Sequence, residues 1–155
     1  MKPRVREARR EDAPRLRALR LEAGWDAEEV PAWFEAVQRG ERAMWVAEVG
    51  EEVVAMVALD FVDADPEVAD GRTTAAVTSL AVAATAGRQG LGRLLTGFAE
   101  GEAVSRGIRV LTLNTRPSNA AALALYSGLG YRPFKQEPRP WGEAVFLRKA
   151  LRGAP

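Results

Sequence analysis

Two short segments of the chain combine residue types that suit anion binding and proton transfer. The first, LAVAATAGRQGLGRLL at residues 80–95, passes from β-forming residues through three glycines into leucines at helical spacing. A glycine-rich connection from a strand to a helix suits a phosphate, because the first-turn N–H groups of a helix lack intrahelical partners and its dipole favours an anion. Gly87, Gly90 and Gly92 allow close approach to those groups, and Arg88 and Arg93 add positive charge. Glycines that only permit a turn are the alternative.

Two common nucleotide-binding motifs fit this loop poorly. It lacks the Gly-Lys-Ser/Thr of a P-loop. Against the dinucleotide pattern Gly-x-Gly-x-x-Gly, its second glycine falls one residue late, and the loop follows the fourth predicted strand rather than the first. A nucleotide-binding α/β protein is therefore a distant alternative.

The second segment, NAAALALYSGLGY at residues 119–131, predicts a helix with a small-residue surface. Asn119, Ala122, Leu123 and Tyr126 share one helix face, and the alanines let another group approach closely. Tyr126 alone would most often be a packing residue. Its combination with the glycine loop earlier in the chain is nevertheless distinctive.

Composition narrows the chemistry further. The 155 residues include neither cysteine nor histidine, so thiolate chemistry is excluded and proton transfer must use a carboxylate, a tyrosine, a lysine or water. The net charge of +1 gives no case for a nucleic-acid or membrane partner. The polar N-terminal stretch and the lack of any long apolar run lead us to expect a cytoplasmic protein. Because cysteine ligands are excluded, we expect no metal site.

The pattern along the chain predicts one domain over residues 1–155, in the order β-α-α-β-β-β-α-β-α-β-β. This is an α/β fold (an α+β mixed sheet) of about seven strands with about four helices packed on it. The predicted strands include 42–49, 52–62, 74–82 and 108–115. The predicted helices include 26–40 (capped by Asp26), 91–107 and 118–130.

In element order and in these two segments, the chain resembles the GNAT superfamily of acyl-CoA-dependent N-acetyltransferases. The resemblance implies a cleft between two splayed parallel strands that end near Val82 and Asn114. The cosubstrate acetyl-CoA would lie there, with its pantetheine arm along the first of these strands and near Asn119. Tyr126 would contact the cofactor and protonate the departing CoA thiolate. The residues implied to bind the cofactor are Leu80, Ala81, Val82, Gly87, Arg88, Gln89, Gly90, Leu91, Gly92, Asn119 and Tyr126.

The implied function is transfer of an acetyl group to a primary amine of a small molecule or peptide. A protein N-terminal or lysine acetyltransferase is an alternative, as is a non-catalytic acyl-CoA-binding module of the same fold. Homodimers are common in the family.

The chain departs from the family pattern at two places. The usual loop reads Arg/Gln-x-x-Gly-x-Gly/Ala, whereas Gly87 stands first here and arginine is displaced to Arg88. Many members carry a glutamate base on the fourth strand, where this chain has Ala76 and no acidic residue. The identity of the general base is therefore left open. The candidates are water and three carboxylates: Glu48, Asp60 and Asp63.

Two groups of residues, an acidic stretch and the tryptophans, are candidates for selecting the acceptor. The stretch LDFVDADPEVADG at residues 59–71 is best interpreted as a solvated acidic loop, with attraction of a cationic acceptor as the sharper hypothesis. Trp25, Trp33 and Trp45 are candidates for an acceptor pocket, although tryptophans on helices and strands are more often core. Trp141, in a proline-rich segment, is expected near the acceptor mouth or an interface.

Overall fold

A seven-stranded mixed sheet forms the centre of the computed structural model, which describes residues 2–87 and 90–151. The strands are Arg4–Glu7 (β1), Arg42–Val49 (β2), Glu52–Asp60 (β3), Thr74–Val82 (β4), Val110–Thr115 (β5), Arg132–Arg139 (β6) and Gly142–Ala150 (β7). The helices are Ala13–Glu22 (α1), Val30–Gln38 (α2), Leu91–Ser105 (α3) and Ala120–Gly128 (α4). The spatial order β1-β2-β3-β4-β5-β7-β6 confirms the predicted mixed sheet and its element order.

Helices cover both faces of the sheet, so its central strands are largely apolar. On β2, Trp45 packs its ring edge-to-face against Phe98 of α3, with centroids 5.6 Å apart. Arg42, three residues earlier and therefore on the opposite face, lies under the ring of Trp33 from α2. On β3, the residues from Val53 to Leu59 are all buried between these layers. The α1–α2 layer and the α3 layer thus lie on opposite sides of β2, β3 and β4.

The sheet opens between its two parallel strands. β4 pairs with β5 only at Thr74–Ala76, opposite Val110–Thr112. Beyond that point β5 continues to pair with β7 as far as Thr115, while β4 continues along β3 as far as Val82. Within residues 2–87 and 90–151, the C-terminal half of β4 therefore has no neighbouring strand on its β5 side, which confirms the predicted splay.

The second helix is shorter than predicted. Asp26 accepts a hydrogen bond from the backbone N–H of Glu28 at 3.2 Å and so closes a turn rather than capping a helix. The helix begins at Val30, with Pro31 in its first turn, because a proline has no N–H to donate and fits best there. The linker between α1 and α2 is consequently longer than predicted.

Candidate active site

A β-bulge in β4 sets the geometry at the opening of the sheet. Thr78 lies opposite Ala58 and Ala81 opposite Met56, so Ser79 and Leu80 together face the single residue between them on β3. Ser79 adopts a φ of 54°, the only positive φ of a non-glycine residue among the described residues. This left-handed conformation costs an L-residue about 1–2 kcal/mol, so neighbouring groups must hold it.

The bulge decides which backbone groups face the opening. The N–H of Ala83 donates to the carbonyl of Val54 on β3 at 2.8 Å. Because the direction of backbone groups alternates along a strand, Ala81 also bonds toward β3, whereas Leu80 and Val82 direct their N–H and C=O groups to the other edge. No strand among the described residues pairs with that edge. Leu80 and Val82 therefore offer free donors and acceptors at the open edge, whereas the backbone of Ala81, also a predicted binding residue, does not.

The loop after β4 leads to an uncapped helix N-terminus beside this edge. Gly90 is the N-cap of α3, with φ 73° and no side-chain cap, so the first-turn N–H groups of α3 carry no capping side chain. At Gly92, an added Cβ would lie 3.5 Å from Leu125 and 3.9 Å from Leu80. The start of α3 thus lies close to both β4 and α4. Gly87 and Leu91 flank this turn, whereas Arg88 and Gln89 lie outside the described residues.

The first turn of α4 is organised by Asn119. Its side-chain oxygen accepts a hydrogen bond from the backbone N–H of Ala122 at 3.1 Å, which makes Asn119 the N-cap of the helix. This contact explains an asparagine at that position by helix capping. A role toward a cofactor stays a prediction.

Of the two tyrosines, Tyr126 has a hydroxyl available for chemistry. Its side chain is buried, with 8% of the residue exposed, and its ring contacts that of Tyr131 edge-to-face at 6.1 Å. Its hydroxyl forms no hydrogen bond with a described residue, whereas the Tyr131 hydroxyl donates to Glu100 at 2.9 Å. Burial raises the pKa of Tyr126. The group is therefore a neutral proton donor throughout the physiological range.

The carboxylates considered as a general base are engaged elsewhere or exposed. Glu48 pairs with Arg6 at 3.1 Å, on the β1 side of the sheet. Asp63 is exposed and accepts from the N–H of Asp65. Asp60 lies on the same face as the bulge, but it forms an ion pair with an arginine at 2.8 Å. None of the three is an unpaired carboxylate held at the opening.

That arginine, Arg42, is a site residue that sequence reasoning missed. Its guanidinium donates from Nη1 to Asp60 at 2.8 Å and to Thr78 at 3.2 Å, and from Nη2 to the Ser79 hydroxyl at 2.9 Å. Only 7% of Arg42 is exposed, and the ring of Trp33 lies 4.7 Å from the guanidinium carbon. Thr78 in turn donates to Asp60 at 2.9 Å. A buried cation thus links β2, β3 and the bulge of β4.

The acidic loop between β3 and β4 is largely occupied by internal contacts. Asp65 forms an ion pair with Lys135 of β6. Asp70 accepts hydrogen bonds from the N–H groups of Arg72, Thr73 and Thr74, and these bonds lower the pKa of Asp70 to about 2. These contacts favour the structural interpretation of this loop over attraction of a cationic acceptor.

Two tryptophans meet over the end of β5. Trp25, in the linker between α1 and α2, contacts Trp141, in the turn between β6 and β7, with centroids 5.7 Å apart. The guanidinium of Arg116, just after β5, lies 5.1 Å and 5.5 Å from their rings. Trp33 and Trp45 are buried in the core. The linker and the turn therefore form one rim beside the opening of the sheet.

The described residues define two further limits. No helix within residues 2–87 and 90–151 is long and apolar enough to cross a membrane. In the same part of the chain, no group of acidic side chains has an arrangement that could hold a metal ion.

Comparison with known proteins identifies the family. The model of the acetyltransferase (GNAT) family matches residues 3–131, a span that runs from β1 to the end of α4 and includes the bulge, the glycine loop and Tyr126. This chain belongs to the acetyltransferase (GNAT) family. Members of this family use acetyl-CoA, and the splayed strands, the free β4 edge and the glycine loop of this GNAT chain are the elements that the resemblance predicted.

Individual proteins are similar to this chain over part of the sequence or in fold. The [ribosomal protein bS18]-alanine N-acetyltransferase of Escherichia coli strain K12 is 52% identical over 44 residues, which are 28% of this chain and 30% of the relative. The match thus spans about a third of that relative's length. The structure of the ribosomal-protein-S18-alanine N-acetyltransferase of Escherichia coli superposes with a TM-score of 0.79 at 24% identity, covering 99% of this chain and 97% of that chain. The Salmonella typhimurium protein yncA, solved with its cofactor acetyl-CoA, gives a TM-score of 0.81 at 22% identity over 100% and 98% of the two chains.

Proposed function

We propose that this chain is a cytoplasmic N-acetyltransferase, one domain over residues 1–155, that moves the acetyl group of acetyl-CoA to a primary amine of a small molecule or peptide. The observation that carries the proposal is the open β4 edge beside an uncapped helix N-terminus, with the Tyr126 hydroxyl, which bonds to no described residue, on the adjoining α4. Family membership supports the reaction class.

The cofactor-binding role follows from the backbone. Leu80 and Val82 can pair with the amide groups of a pantetheine arm as a further strand would, because no described strand pairs with their N–H and C=O groups on that edge. The N–H groups at the start of α3, approached over Gly90 and Gly92, can receive the pyrophosphate. Arg93, in the same turn, adds positive charge.

The chemical step divides between backbone and side chain. The neutral amine attacks the thioester carbonyl, and negative charge develops on its oxygen. The N–H of Val82, fixed in β4, is the proposed donor to that oxygen. As the carbon–sulfur bond breaks, Tyr126 gives its proton to the sulfur, and its raised pKa keeps the donor form available. The nitrogen of the new amide gives its extra proton to water, and water returns a proton to the Tyr126 phenolate.

Deprotonation of the acceptor is assigned to water. An amine with a pKa near that of lysine, about 10, is mostly protonated at neutral pH. Asp60, which lies on the same face as the bulge, is held in an ion pair and a hydrogen bond, so a side chain of this chain is not proposed as the base. The acceptor would reach the thioester past the rim formed by Trp25 and Trp141.

A panel of amines tests the proposal. Purified protein is incubated with acetyl-CoA and, in turn, polyamines, amino acids, lysine peptides and peptides with an N-terminal alanine, and released thiol is measured with acetylated product. We expect thiol release that depends on one class of amine. Stabilisation by acetyl-CoA in a thermal-shift assay without turnover on any class would favour the non-catalytic module, and stabilisation by ATP or NAD alone would contradict both.

A further inference from the structure

Arg42 connects strands that are not neighbours. Its Cα lies opposite Asp60 of β3, yet its guanidinium reaches Thr78 and Ser79 on β4, two strands away. Adjacent strands are about 4.8 Å apart, so this span of roughly 10 Å requires a long side chain. The contact places both ends of the guanidinium at the start of the bulge.

The bulge determines the alternation of backbone groups in the rest of β4. With the extra residue present, Leu80 and Val82 face the open edge and Ala81 bonds to β3. In a continuous ladder from Thr78, without the extra residue, Ser79 and Ala81 would face the open edge, and Leu80 would turn to β3. The backbone groups of Leu80 and Val82, proposed above to bind pantetheine and the oxyanion, face the open edge only while the bulge is in place.

Few described groups hold the bulge at its strained residue. The Ser79 side chain is bound by Nη2 of Arg42 at 2.9 Å. Arg42 itself is fixed by the ion pair with Asp60 and by the ring of Trp33. Its Nε atom is buried without a hydrogen-bond partner among the described residues, so the two Nη groups carry all of its described hydrogen bonds.

We propose that Arg42 is a positioning residue for acetyl transfer, which fixes Ser79 in the left-handed conformation and so directs the backbone of Leu80 and Val82 into the cofactor cleft. This role rests on the proposed function. It gives a role in the reaction to a buried arginine whose described hydrogen bonds are all to side chains of the protein. It also gives a role to Ser79, at a position where glycine would adopt the positive φ without strain.

Paired substitutions separate positioning from general stability. Arg42→Lys keeps the charge beside Asp60 but loses the fork that holds two strands at once. Ser79→Gly removes the steric cost of a positive φ, so a glycine can hold the bulge without Arg42. Arg17→Lys, on the exposed side of α1, is the matched control and is expected to behave as wild type.

The kinetic readout is kcat at saturating acetyl-CoA and amine. We expect Arg42→Lys to lower kcat at least about tenfold, the scale of a slightly misplaced reacting group, and Arg42→Lys/Ser79→Gly to recover most of the loss. If the role of Arg42 is merely structural, Arg42→Lys lowers the Tm, and the added Ser79→Gly, which makes no side-chain contact, does not restore kcat. Wild-type kcat in Arg42→Lys, or no recovery in the double variant, would overturn the proposal.

Amide exchange in the free protein makes the test independent of turnover. In the wild type, we expect slow exchange at Ala81 and Ala83 and fast exchange at Leu80 and Val82. Arg42→Lys should abolish this alternation, and the added Ser79→Gly should restore it. An unchanged alternation in Arg42→Lys would refute the role of Arg42 even if the protein acetylates no amine, whereas a failed amine panel with the alternation lost would refute only the proposed function.

Discussion

Replacement of Tyr126 by phenylalanine should separate catalysis from stability. The Tyr126 hydroxyl makes no hydrogen bond to a described residue, so its loss leaves no partner unsatisfied and should change the free energy of unfolding by less than about 1 kcal/mol. The same substitution removes the proposed proton donor to the CoA thiolate. Loss of a general acid lowers rates roughly 100- to 10,000-fold, so we expect kcat to fall within that range while affinity for CoA stays near wild type.

Tyr131→Phe is the matched control, because it removes the same atom from the neighbouring ring. The Tyr131 hydroxyl donates to Glu100 at 2.9 Å, and a hydrogen bond to a charged group contributes about 1.5–3 kcal/mol. This variant should therefore lower the urea midpoint while keeping most of the turnover. Thiol release, calorimetric titration with CoA and urea unfolding measure the three quantities. A Tyr126→Phe enzyme with kcat within about twofold of wild type, far short of the loss of a general acid, would remove Tyr126 from the mechanism.

Three further predictions follow from backbone conformation and from shifted pKa values. Gly90 has φ 73° with open space around an added Cβ, so Gly90→Ala should destabilise by about 1 kcal/mol through backbone strain; an unchanged urea midpoint would contradict this. Since burial raises the pKa of Tyr126, the profile of kcat against pH should show no decline up to about pH 10, and a decline near pH 8 would exclude this acid. Asp70 has its pKa lowered from 3.8 to about 2, so its stabilising effect is complete above about pH 4 and is lost as the pH falls through about 2. Asp70→Ala should unfold at lower urea than wild type at pH 7 and match it below pH 2, and a constant difference across this range would refute the assignment.

The parts of the fold that sequence predicts are those set by local pattern. The start of α3 at Leu91 follows from the change from glycines to helically spaced leucines, whereas Asn119, predicted to lie on a face of the next helix, is instead the N-cap of α4. The opening between β4 and β5 could be expected only from family resemblance, because no residue in either strand indicates where pairing stops.

The contacts that sequence could not predict are distant along the chain. Arg42 lies 18 residues from Asp60 and 37 from Ser79, and an arginine at the start of an apolar strand carries no signal of such partners. The bulge was missed for the same reason, since Ser79 is not the glycine that usually marks a left-handed residue. Asp26 was given a helix cap although it closes a turn, because the two patterns use the same residue type.

Residue-resolved amide exchange with and without CoA tests the central claim, that the open edge of β4 receives the cofactor. Leu80 and Val82 direct their N–H groups to that edge, whereas the N–H of Ala83 is already bonded to Val54. We expect CoA to slow exchange strongly at Leu80 and Val82 and to leave Ala83 unchanged. Binding of CoA with no added protection at Leu80 and Val82 would contradict it.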